Sequence, residues 1–171
     1  KQIEQLQKWL DKGYEGQLQF MHNNHDLRAH PDQLVEGAKT IISVRMDYLT
    51  QAPTPRAVTD NDHPNKGIIA RYARGRDYHK TMRSRLKQLA LKIETMLPEW
   101  QHLDIGSEKE FVFRPFSDSA PIFERPIADA AGLGWTGKHT LLINKQAGSF
   151  FVLGELFLSL ELPDDKPVKE H

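Results

Sequence analysis

Cysteine is missing from all 171 residues. That excludes a disulfide framework, a zinc finger and any cysteine-ligated iron–sulfur cluster held by these residues alone. An excess of one charge is missing too, since 23 Lys and Arg face 23 Asp and Glu. Affinity for nucleic acid would therefore have to come from local clustering, not from global charge. No apolar run approaches the ~20 residues that cross a bilayer, and the amino end is a polar helical pattern with none of the marks of a secretory leader. A cytoplasmic protein with no membrane partner is expected. The chain opens on Lys1 instead of Met, which predicts that the natural amino terminus lies upstream. Repeats and low-complexity tracts are absent as well. A single domain of this length buries roughly 70% of the surface its unfolded chain exposes.

What is present is an alternation of short elements. Ile3, Leu6, Trp9 and Leu10 fall at helical spacing before Gly13, and a short helical stretch follows around Gly16–His22. Pro31 opens a turn of helix through Leu34, and Ile41, Ile42, Val44 and Met46 read as a buried strand ending near Tyr48. Thr50–Lys66, with Pro53, Pro55 and Pro64 among polar residues, reads as a loop. The clearest element is a helix from about Asp77 to Leu97. Tyr78, Met82, Leu86, Leu89, Ile93, Met96 and Leu97 form one stripe, Asp77 is the N-cap and Pro98 the stop. Glu110–Arg114 reads as a strand, and Pro126–Ala131 as a helix with Pro at its first position and Gly132 as its cap. Thr140–Asn144 and Ser149–Leu160 read as strands of a hairpin joined by Lys145–Gly148. The expected fold class is therefore α/β, a mixed sheet flanked by helices in a sandwich and not a pure Rossmann domain.

Several segments have the composition of a site. Arg71-Tyr72-Ala73-Arg74-Gly75-Arg76-Asp77-Tyr78-His79-Lys80 interleaves guanidinium groups, which pair with phosphate, and rings that stack on a flat group. A solvated basic helix face with Tyr78 in the core is the plainer account of the same pattern. Gly132-Leu133-Gly134-Trp135-Thr136-Gly137-Lys138-His139 lets backbone approach a ligand closely. Its G-x-G-x-x-G spacing follows a helix and precedes a strand, which is the wrong context for a dinucleotide fingerprint. A simple helix-to-strand connection explains it equally well. Asp118, between Ser117 and Ser119 and bracketed by Pro115 and Pro121, has the setting of an Asx-turn. Beside a large apolar ligand it would become a proton donor. His22 and His25 are three apart, but in a polar, helix-poor run that makes a poor metal site.

Taken in order, four blocks resemble the epoxyqueuosine reductase family. They are Tyr72-Ala73-Arg74-Gly75-Arg76-Asp77-Tyr78-His79, Arg114-Pro115-Phe116-Ser117-Asp118-Ser119-Ala120-Pro121-Ile122-Phe123-Glu124-Arg125, Ala131 through His139, and Gly148 through Leu156. Gly13-Tyr14-Glu15-Gly16 and the strand from Ile41 to Tyr48 fit as well. The resemblance implies reduction of an epoxide on a modified base in the anticodon loop of tRNA, using cobalamin and two four-iron four-sulfur clusters. It implies a cobalamin-binding core similar to that of reductive dehalogenases over residues 1–162, without the family's first helix and strand. Residues 163–171 would begin the linker to a cysteine-rich module. It casts Asp118 as the proton donor, kept neutral near pH 7 by a dry corrin face. It makes Tyr72, Arg74, Tyr78, His79, Ser119, Gly134, Trp135, Gly137, Lys138 and His139 candidates for contact with the cofactor. The implied partners are tRNA bearing epoxyqueuosine and an electron donor protein. Another cobalamin protein on the same core, such as a dehalogenase relative or a corrin-processing chaperone, and a tRNA-binding module without cofactor remain as rivals.

Overall fold

The computed structural model describes residues 2–49, 67, 69–100 and 111–166. The helices are α1 (Gln2–Asp11), α2 (His25–Ala29), α3 (Tyr78–Met96) and α4 (Glu124–Ala130). The strands are β1 (Thr40–Asp47), β2 (Phe113–Phe116), β3 (Trp135–Thr136), β4 (Leu142–Ile143) and β5 (Phe151–Leu158). Short 3₁₀ turns lie at Gln19–Met21, Pro31–Leu34, Arg71–Ala73 and Leu97–Trp100. The expected loop at 50–66 lies outside the described residues, as does Glu110 at the head of the expected second strand.

The helical stripe in α3 does what its spacing requires. Met82, Leu86, Ala90 and Ile93 are buried, and they pack on Leu156, Leu158 and Leu160. Asp77 caps the helix by accepting from the His79 amide at 2.9 Å, one of the donors that a helix start leaves open. The approach of α3 to β5 depends on Gly154. A Cβ there would lie 2.5 Å from Met82 Cγ, closer than any real side-chain contact. Each fully buried Leu contributes about 1.5–3 kcal/mol, so this seam is the main hydrophobic reserve of the fold. The other face of β5 carries Phe157, which meets Phe116, Ile122 and Val35 in a second cluster reached by Ile127 of α4.

The sheet corrects one expectation. Its strand order is β1-β5-β2, and both pairings to β5 are antiparallel, so it is an antiparallel sheet and not a mixed one. The expected hairpin between residues 140–144 and 149–160 is corrected too. Asn144 and Gly148 form an isolated bridge, but β4 pairs with β3 while β5 passes between β1 and β2. Two features divert β4. Gly134 lets the Ile143 carbonyl come where a Cβ would collide with it. The Asn144 side chain donates to Leu133 O at 2.7 Å and accepts from the Gln146 and Ala147 amides, turning the chain away before it can run on into a long strand. In α4, Pro126 sits at the third position, not the first, and Gly132 follows at φ +76°.

Candidate functional site

The turn after β2 places Asp118. Ser117 is fully buried and its Oγ donates to Leu153 O at 2.9 Å, which ties the turn to β5. The Ser119 amide donates to Ser117 O at 2.7 Å. Asp118 itself adopts φ +59°, a left-handed conformation that Asp tolerates better than most residues. Its amide donates to Glu124 Oε1 at the start of α4. So held, the carboxyl accepts from the Tyr78 hydroxyl and lies 3.5 Å from His79 Nε2. It is about half exposed, at 54%.

Tyr78 and His79 arrive on the first turn of α3, which packs on the face of β5 opposite to Phe157. Their rings stack at 3.9 Å, and His79 Nδ1 lies 2.8 Å from Asp77 Oδ1. That contact holds the Asp77 carboxyl below its ordinary range. Burial, followed by the neighbouring Asp118, pushes the Tyr78 phenol far above its usual value, so it remains an O–H donor throughout the physiological range. Tyr72 meets Tyr78 edge to face at 6.1 Å and Tyr48 at 6.2 Å.

Asp118 stands where three clefts meet. One, of about 690 Å³, includes Tyr72, Arg76, Tyr78 and His79. A second, of about 220 Å³, includes Tyr48, Tyr72, Glu124 and Phe151. The third, of about 420 Å³, includes Glu124, Arg125, Thr136 and Thr140. The expected aspartate, tyrosines and histidine are thus brought together. The three-glycine loop reaches the same place through Thr136 and Thr140, not through its glycines. Gly134 is buried under the Ile143 carbonyl, and a Cβ at Gly137 would lie 2.6 Å from the His139 ring. Trp135 is half-buried, while Ser119, Lys138 and His139 are exposed. Arg74 is also exposed, although its Nε donates to Ile69 O at 2.9 Å. His22 lies apart from this site, 2.7 Å from Glu15.

Two residues of the site had no assigned role in the sequence. Glu124 receives the Asp118 amide, and Glu155, fully buried in the middle of β5, lies behind it. Burial raises both carboxyls, Glu155 to about 9 with Glu124 as the next cause. The available signal was a single acid inside the apolar run Phe150–Leu160, since an acid is almost never fully buried without a reason.

Residues 28–119 match the family described as Epoxyqueuosine reductase QueG, DUF1730. The chain is 52% identical over 165 residues to an epoxyqueuosine reductase of Salmonella typhimurium and 49% identical to one of Shewanella oneidensis. Each alignment covers 96% of this chain and 40% of the relative, so the chain spans about two fifths of the length of these proteins. Among solved structures, the epoxyqueuosine reductase of Streptococcus thermophilus superimposes with a TM-score of 0.75 at 30% identity, over 98% of this chain and 41% of that one. A second, an epoxyqueuosine reductase crystallised with a tRNA-Tyr epoxyqueuosine-modified stem loop, gives 0.72 at 23% identity, over 98% and 40%. That likeness bears on the fold.

Proposed function

The chain belongs to the epoxyqueuosine reductase QueG family, and on that premise we propose that it forms the part of such an enzyme that cradles cobalamin and protonates the epoxide oxygen of the tRNA-borne base. The observation that carries the reading is Asp118, held by a left-handed turn against the Tyr78 hydroxyl where three clefts meet.

Deoxygenation of an epoxide consumes two electrons and two protons and releases water. As the carbon–oxygen bond breaks, negative charge collects on oxygen, and an acid within hydrogen-bond reach lowers that barrier. Asp118 is the candidate acid. Tyr78 stays protonated and fixes one carboxyl oxygen of Asp118 as an acceptor, which leaves the other free for the substrate. His79 Nε2 lies 3.5 Å from the same carboxyl oxygen.

The residues present suit a broad apolar disc fringed with amides. The Tyr72 ring is 48% exposed beside Asp118, a large aromatic surface that such a ligand would cover. Tyr72, Tyr78 and His79 would lie against it, and Arg76 and Lys138 are within the neighbouring segments for phosphate or amide contact. When bound, cobalamin supplies the electron pair. The chain has no cysteine to hold iron–sulfur clusters. Arg71, Arg74, Arg76, Lys80 and Arg83 form a basic border suited to the backbone of an anticodon loop whose target base is turned outward. In domain terms, residues 1–162 constitute the cofactor-binding core and 163–171 a linker.

The test is Asp118→Asn in the full-length enzyme, assayed on tRNA carrying epoxyqueuosine. Turnover should fall by about 10²–10⁴ while the visible spectrum of bound cobalamin is unchanged. A variant that keeps its rate removes Asp118 from the chemistry.

A further inference from the structure

Glu155 is an anomaly by position. It pairs across the sheet with Ser43 on β1 and Phe116 on β2, and none of its surface is accessible. Ser43 Oγ donates to Oε1 at the long distance of 3.5 Å, and Oε2 has no hydrogen-bond partner. An ionised carboxylate left in this state would cost several kcal/mol unless a cation compensated it. Among the described residues no cation forms an ion pair with Glu155. Arg45 of β1 is 3.8 Å from Asp47 and lies over the Phe151 ring, although its Nη1 is buried without a hydrogen-bond partner. Arg114 of β2 lies over the Phe116 ring and donates to Leu34 O at 3.4 Å. Arg125 of α4 donates to Thr140 O. His79 at the start of α3 is drawn to Asp77 and Asp118. What acts on Glu155 is instead Glu124 from α4 and Asp118 from the turn, both acids.

Two carboxylate oxygens cannot bond to each other unless one carries a proton. A protonated Glu155 resolves the anomaly, because the hydrogen bond between the Glu155 and Glu124 side chains then has Glu155 as its donor and Glu124 as its acceptor. Glu124 then keeps the charge, and its Oε1 receives the Asp118 amide. Burial holds the proton on Glu155 up to a pH of about 9.

We propose that Glu155 is a positioning residue for Asp118: as a neutral acid in the sheet it fixes Glu124, and Glu124 in turn fixes the left-handed turn that aims the Asp118 carboxyl. The inference deepens the proton-donor reading of Asp118 and rests on it for its consequence in turnover, but the latch itself is independent of it. The chain of contacts runs from the rigid centre of β5 to the exposed turn, which is also anchored by Ser117 on Leu153 and by Tyr78 on Asp118.

The experiment uses the full-length enzyme in three forms: native, Glu155→Gln and Glu155→Leu. Gln has one donor and one acceptor end, as the neutral acid does, whereas Leu fills the space with neither. Glu155→Gln should keep kcat within about threefold and retain slow amide hydrogen exchange over residues 117–120. Glu155→Leu should exchange at least about tenfold faster there and lose about ten- to hundredfold in kcat at unchanged KM for tRNA, as a slightly misplaced acid would. A carboxylic-acid carbonyl band should be present in the infrared spectrum of the native enzyme at pH 7 and absent from Glu155→Gln. Native protection of residues 117–120 should collapse as pH passes about 9, and that of Glu155→Gln should not. Identical behaviour of the Gln and Leu variants, whether both active or both crippled, overturns the proposal, and so does a missing acid band. If Asp118→Asn keeps its rate, the proton-donor reading fails, while the exchange and infrared results still decide the role of Glu155.

Discussion

On one face of β5 and its continuation, Leu156, Leu158 and Leu160 are wholly buried against Met82, Leu86 and Ala90 of α3, and every buried member of that cluster is apolar. On the other face Phe157 is buried with Phe116 and Ile122, but two residues away Glu155 is just as inaccessible, beside Ser117 and behind Glu124. The same strand thus builds a seam that only stabilises and a seam that spends stability on a polar group. Burying an acid where a Leu would fit is unfavourable on its own account, so its presence marks the face that works. Asp118 and Glu124 line two of the clefts on that side, and Tyr78 reaches them from the start of α3.

The contrast can be broken most forcefully on the apolar side. Leu158→Ala should remove about 2–5 kcal/mol of unfolding free energy, read from denaturant melts, while hydrogen exchange over residues 117–120 keeps its native pattern under conditions where the variant is folded. On the polar side a smaller loss is expected. Glu155→Leu should cost about 1–3 kcal/mol at pH 5, since removing one partner of a buried hydrogen-bonded pair leaves Glu124 with only the Asp118 amide, in the same variant that loses turnover. The pH dependence follows the same group. The unfolded chain releases the Glu155 proton near 4.5 and the folded chain holds it to about 9. Across that window the folded state binds more protons, so the native contribution of Glu155 is complete below 4.5 and is lost progressively as pH rises to about 9. Melts between pH 5 and 9 should show this slope in the native protein and a shallower one in Glu155→Gln. The smallest effect belongs to the three-glycine loop. Asn144→Ala should cost about 1 kcal/mol and loosen residues 133–147, measured by exchange, because it frees Leu133 O and two amides.

Much of this was legible in the residues. The stripe from Tyr78 to Leu97 announced α3 to within a residue at each end, because nineteen residues of one period leave little room for another structure. Asp118 stood out through its two prolines and two serines, and the turn has the left-handed residue that such a setting favours. The hairpin was misread at Asn144, where both local signals, alternating residues and a four-residue loop, are correct for a hairpin. The strand's actual partner is set by a contact with Leu133 that is distant in the local pattern. Gly134 and Gly137 were expected to face a ligand, and the structure gives them a packing role inside β3–β4.

From the amino acids alone came the absence of any cysteine ligand, the positions of α1, α3 and (within two residues) α4, the family blocks and the turn that presents Asp118. These depend on residue chemistry and on spacing along a few turns of chain, which a linear string records directly. The stretch expected to be helical around Gly16–His22, by contrast, holds only a 3₁₀ turn, and α2 lies at His25–Ala29, in a run whose composition reads as helix-poor. Tertiary structure alone decided that β5 runs antiparallel between β1 and β2, that Glu124 receives the Asp118 amide, and that Glu155 is sealed behind them. Those outcomes set desolvation and proton affinity, which depend on what surrounds a group in space, and neighbours brought from β1, α4 and the Asp118 turn are invisible until the chain has closed on itself.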